Sequence, residues 1–168
     1  MQKQKGFSLI ELLIVVAIIL IIAAIAIPNL LRARIAANES SAASIVRTLN
    51  TAEVSYVTAY PATGYAAALT NLGGAAAACV TPTSATACLI DNSLATTGNT
   101  TGKSGYKFNA VGQGGPPATG YVATATPLAV GSSGVNSFCS IEDAVIHKDA
   151  TGALGTHAGC PGLPSLGN

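Results

Sequence analysis

The side chains with partner-dependent chemistry are few: Cys79, Cys88, Cys139 and Cys160, two histidines, and Glu11, a single acid near the front of an apolar run. An even number of cysteines in a loop-rich region of a chain that reads as exported points to two disulfides. Three connectivities are possible. The sequence-local one, Cys79–Cys88 with Cys139–Cys160, is preferred because short loops are the easiest to close. The rival is a Cys2His2 zinc set of Cys139, His147, His157 and Cys160. Only His157-x-x-Cys160 is close-spaced there, and the other gaps fit no finger pattern. Glu142, Asp143 and Asp149 offer oxygen ligands of the kind calcium needs, against the plainer reading of a solvated hairpin end. No metal and no cofactor is expected.

Catalysis is not expected either. Serine and threonine are abundant, but a nucleophile needs a positioned base and a group to orient it. Both histidines fall in the last 22 residues, and His147, at the end of a predicted strand, reads as a surface residue. Gly112, Gly114 and Gly115 precede prolines, which makes a turn and not a phosphate cradle. Tyr56 and Tyr60 lie one helical turn apart and read as core packing. The net charge of +1 supplies no basic patch, so no nucleic acid is bound by bulk charge.

Glu11 is harder to set aside. The 21 residues from Phe7 to Ile27 are almost wholly apolar. As a helix they span about 31 Å at ~1.5 Å per residue, close to the ~30 Å of a bilayer's hydrocarbon core. Lys3 and Lys5 place the amino-terminal end on the cytoplasmic side. In a secretory signal peptide the small-residue cleavage site follows the apolar stretch; here Gly6 precedes it. An acid within a span costs about 2.5–3.5 kcal/mol near its centre and less near an end. It therefore wants a cationic partner near the interface. A free amine on Phe7 would serve if the chain were cut after Gly6. Four residues of helix separate that amine from its own Glu11 by about 6 Å along the axis. A neighbouring, axially shifted copy is better placed to supply it.

The stretch Lys5-Gly6-Phe7-Ser8-Leu9-Ile10-Glu11, followed by the apolar run and Pro28, resembles the type III signal of type IV pilins and their relatives. The resemblance covers about the first 60 residues and is strong over the first 34. It implies cleavage between Gly6 and Phe7 by a prepilin peptidase, which is also the methyltransferase acting on the Phe7 amine. It also implies that Glu11 meets the Phe7 amine of an adjacent subunit and so sets register in a helical fibre of identical chains. The chain would then consist of a leader (1–6), a transmembrane and fibre-core half-helix (7–30) and a globular head (31–168). It would wait in the inner membrane, meet the pilus assembly platform and end in an extracellular fibre. The alternative within the resemblance is a type II secretion pseudopilin forming a short periplasmic pseudopilus. Tyr60-Pro61-Ala62-Thr63-Gly64-Tyr65 has that look, whereas two disulfides are less expected there.

The elements follow from periodicity. Pro28 removes one helical hydrogen bond and is expected to kink the helix without ending it, since a helical pattern resumes at Asn29. Ala42, Ile45, Leu49, Ala52, Tyr56 and Tyr60 recur at steps of three and four, as on a helix with one face against a core. Tyr60-Pro61 ends that helix. Ala66 to Leu72 predicts a short helix. Residues 105–111, 119–126 and 138–147 predict three meandering antiparallel strands. The whole reads as an α+β fold: a long amino-terminal helix, first membrane-spanning and then amphipathic, packed on a small disulfide-stapled antiparallel sheet. The triplets at Asn38 and Asn99 that would fit glycosylation are of a kind that arises often by chance.

Mass spectrometry of the chain's amino terminus tests the central expectation. A mature protein starting at methylated Phe7, with Gly6→Ala blocking the cut, is expected. An intact terminus in the wild type would instead indicate a plain membrane-anchored exoprotein.

Overall fold

The computed structural model describes residues 7–152 and 156–167. The expected leader, Gly6 included, lies outside the described residues. Helix α1 runs from Leu9 to Ala59, 51 residues, with Pro28 inside it. Pro28 therefore does not end the helix. The described chain divides into two compact units, with the boundary between Arg34 and Ile35.

The second unit is built on the later half of α1. Ala42, Val46, Leu49, Ala52, Glu53 and Tyr56 are buried at helical spacing. Ile45 and Tyr60, expected in this stripe, are only partly buried against the core. Val46 and Glu53 take the central positions instead. The helix stops at Ala59 because Pro61 follows; Thr63 and Gly64 then donate back to the Tyr60 carbonyl at 2.9 and 3.2 Å. Two short helices follow, α2 (Leu69–Leu72) and α3 (Asn92–Thr97). α2 occupies the end of the predicted 66–72 stretch. α3 was not anticipated. Its start is set by Asp91, whose carboxylate accepts the Ser93 and Leu94 N–H groups at 2.9 and 3.2 Å, an N-cap of the usual kind.

The sheet has four strands in antiparallel order: β1 (Tyr106–Gln113), β2 (Gly120–Pro127), β3 (Ser137–Ser140) and β4 (His147–Asp149). Alternation puts Tyr106, Phe108 and Ala110 of β1 on one face with Tyr121, Ala123 and Ala125 of β2, all at 0% exposure. The register pairs Phe108 with Ala125 and Ala110 with Ala123, large against small and small against small. These side chains share one core cluster with Val46, Leu49 and Tyr56 of α1.

The single strand expected over 138–147 is two strands with a turn between them. Asp143 accepts the Val145 N–H at 2.9 Å, the Ala144 N–H reaches the Ile141 carbonyl at 2.9 Å, and Ala144 has φ +57°. A short acidic side chain that bonds to backbone two residues on favours such a reversal over continued extension. His147 is corrected with it. It opens β4 buried, 7% exposed, with Nδ1 2.7 Å from the Leu163 carbonyl.

Cys79 is bonded to Cys88 and Cys139 to Cys160, with Cα separations of 5.7 and 6.0 Å. The second bond fastens the carboxy-terminal segment to β3. Replacing Cys139 and Cys160 together with serine is expected to cost about 3 kcal/mol for a loop of this size. Denaturant unfolding in detergent, compared with the Cys79→Ser/Cys88→Ser pair, measures it; the shorter loop should cost less.

Candidate functional site

The first turn of α1 joins the two residues singled out at the amino terminus. Ser8 precedes the helix and Glu11 is its third residue. The Glu11 carboxylate accepts the Ser8 backbone N–H at 2.9 Å. This is one arm of a capping box, S-x-x-E, in which an acid in the first turn satisfies a backbone donor that the helix cannot. The sequence carries this signal as Ser8-Leu9-Ile10-Glu11, beside the cationic partner that the acid's place in an apolar run calls for. The carboxylate thus has a partner inside its own chain. It also lies where the helix dipole favours negative charge. Phe7, 86% exposed, stands just ahead of it.

Behind this turn the helix offers only hydrocarbon. The large aliphatic side chains from Leu9 to Leu31 are all 45–75% exposed. α1 carries a stretch long and apolar enough to cross a membrane, and none of that stretch is buried. Each such side chain gains about 1.5–3 kcal/mol when it is covered. A surface of this kind is costly to leave in water. Arg32 and Arg34 close it with two exposed charges.

Polar anchors follow in the second unit. The Glu39 carboxylate takes the Val135 and Asn136 backbone N–H groups at 2.9 and 3.0 Å and the Asn136 side-chain amide at 2.9 Å. Asn38 donates to the Ser133 carbonyl at 2.7 Å. Adjacent residues of α1 thus hold the loop that leads into β3. Partial burial would raise the Glu39 pKa, but the Asn136 and Val135 bonds, helped by the Lys148 charge, outweigh it. The carboxyl is held below its ordinary 4.5.

The remaining expected residues fall apart as a site. Glu142 pairs with His157, whose Nε2 is 2.8 and 3.0 Å from its two oxygens. Asp143 serves the 141–145 turn, and Asp149 caps Thr151 through two 2.8 Å bonds. Among the described residues no three His, Cys, Asp or Glu side chains converge to hold a metal ion. The cysteines that would complete a zinc set are in disulfides. Tyr56 and Tyr60 stand 5.0 Å apart, tilted by 52°, with Tyr56 buried in the core.

The candidate surface is therefore an amino-terminal one: a capped first turn, then an aliphatic helix left uncovered among the described residues. Residues 1–27 match the family model of the prokaryotic N-terminal methylation motif. Over 40 residues the chain is 65% identical to the type IV wide pilus major component PilA4 of Thermus thermophilus, covering 24% of this chain and 30% of that protein. Over 54 residues it is 48% identical to the type IV major pilin protein PilA of Myxococcus xanthus, covering 32% and 24% respectively. The chain thus spans less than a third of the length of either relative. No solved structure matches it significantly.

The Glu39 clamp yields a signed expectation. A carboxyl with a depressed pKa stabilises the fold above its ordinary value and loses that contribution as pH falls through the depressed one. Glu39→Gln should therefore lower Tm near neutrality, and the gap to wild type should close as pH drops below the ordinary 4.5. Thermal melts in detergent at stepped pH measure the gap.

Proposed function

We propose that this chain is the precursor of a type IV pilus structural subunit. In this reading prepilin peptidase cuts between Gly6 and Phe7 and the same enzyme methylates the Phe7 amine. The mature chain waits in the inner membrane, with its amino terminus at the cytoplasmic face. The assembly platform then moves it into an extracellular fibre of identical chains. One observation carries the reading: an uncovered aliphatic helix headed by a methylation-motif segment in which Phe7 and Glu11 sit one turn apart.

The physics of the two environments is similar enough for exchange. Lipid and a bundle of like helices both remove the aliphatic surface from water. They differ for Glu11. In a fibre core an unpaired carboxylate is penalised, so a methylated amine brought by an axially shifted neighbour selects one register. The Ser8 N–H keeps one oxygen occupied throughout, leaving the other free to accept the incoming charge. In this reading the second unit faces the outside of such a fibre and its role is structural. Both relatives carry type IV pilus names, so a secretion pseudopilus is the less favoured destination.

Glu11→Ala is expected to leave the protein in the membrane fraction and to abolish fibres. Glu11→Gln, which keeps the cap geometry, should also fail to assemble normally if charge pairing sets register. Electron microscopy of cells and sheared material reads both; normal fibres in either variant would overturn this role for Glu11.

A further inference from the structure

Glu53 lies in the middle of the buried stripe of α1 and is 0% exposed. It is an acid where helical periodicity calls for an apolar side chain. One oxygen, Oε2, accepts the Ala66 backbone N–H at 2.9 Å. The other, Oε1, meets no hydrogen-bond partner among the described residues, and neither does the fully buried hydroxyl of Tyr121 on β2. The titratable groups that surround it are Tyr56 on α1, Tyr65 in the loop after α1, and Tyr121, with Glu142 and Asp143 acting on Tyr121 from beyond β3. Every one of these is an acid. His147, further along, is occupied with the Leu163 carbonyl and lies 3.7 Å from Asp143. A carboxylate charge in this enclosure has no compensating cation, and buried groups in that position hold a proton instead.

The bond to Ala66 is also a fastening point. The Ala66 carbonyl accepts the Gly112 N–H at 2.7 Å, Tyr65 donates to the Ala118 carbonyl at 3.1 Å, and Ala118 donates to the Thr63 carbonyl at 3.0 Å. The Tyr65 ring lies 4.9 Å from that of Tyr121. Gly64, at φ +78°, sits so close that a Cβ would run into the Ala118 backbone. The segment 60–66 is thus tied to the β1–β2 hairpin by backbone bonds and to α1 by Glu53.

We propose that Glu53 and Tyr121 form an internal proton site that governs how firmly segment 60–66 is held. With Glu53 neutral the segment is closed on α1. Loss of the proton favours an open form in which water reaches the carboxylate. The direction follows from linkage. Burial pushes the Glu53 carboxyl up from 4.5 to about 7, against the opposing effect of the Ala66 N–H. The closed form therefore binds more protons than the open one. Its advantage is full below the ordinary value of 4.5 and declines as pH rises from there to about 7.

Backbone amide exchange of the full chain in detergent micelles, corrected for intrinsic rate, tests this at about pH 5 and pH 8. Ala66 protection is expected to fall roughly tenfold or more at the higher pH. Glu53→Gln, which has the shape but not the charge, should show no such fall. Tyr121→Phe should shift its midpoint. Protection that does not change in the wild type, or that falls equally in Glu53→Gln, would overturn the proposal; an unshifted midpoint in Tyr121→Phe would remove Tyr121 from the site. Should Glu53→Gln fail to fold, carboxyl-carbon NMR of wild-type Glu53 decides: a midpoint near its ordinary value is a refutation, one near neutrality a confirmation.

Discussion

The aliphatic surface of the first half of α1 governs the rest of this molecule, because nothing among the described residues covers it. Side chains from Leu9 to Leu31 stand half or more exposed along most of the helix. At about 25 cal/mol per Å² of apolar surface, water is not a tolerable neighbour for such a stretch. Among the described residues it finds no apolar environment. The need for one explains why charge is confined to the ends of the run, Glu11 at one and Arg32 and Arg34 at the other.

The second unit solves a different problem with modest means. A small sheet and half a helix provide a limited core. Tyrosine and phenylalanine fill it where α1 faces the strands, and alanines at 110, 123 and 125 leave room between them. Two disulfides reduce the freedom of the loops that add least to that core. Polar anchors then do the positioning: Glu39 and Asn38 hold the loop before β3, and Asn50 donates to Ser140 at 2.8 Å from the buried face of α1.

Much of this was legible in the residues. The long apolar helix, its continuation past Pro28, the end at Pro61 and the first two strands each rest on a pattern longer than one turn or one pleat. The segment that matches the methylation motif was legible for another reason, since a run of fixed residue types can be read without knowing what packs against it. What was missed is short or tertiary in origin. β4 is three residues long, too short for alternation to register, and the turn before it hangs on one Asp143 bond. α3 depends on a single capping acid. His147 and Glu53 are polar residues inside, and local sequence carries no sign of burial that distant strands impose. Ser8 and Glu11 form a capping pair that the S-x-x-E spacing makes readable.

One consequence concerns the order in which the molecule can be made. The buried stripe of α1, from Ala42 to Tyr56, finds its partners on strands that begin at Tyr106. Those strands form a meander of neighbours in sequence, whereas the helix must wait for a stretch of chain about as long as itself before its face is covered. Domains made amino terminus first expose such faces during synthesis. An apolar segment already lodged in lipid would hold the helix in place through that interval. In the membrane-held precursor proposed above, such anchorage would act as a folding aid while the strands are still arriving.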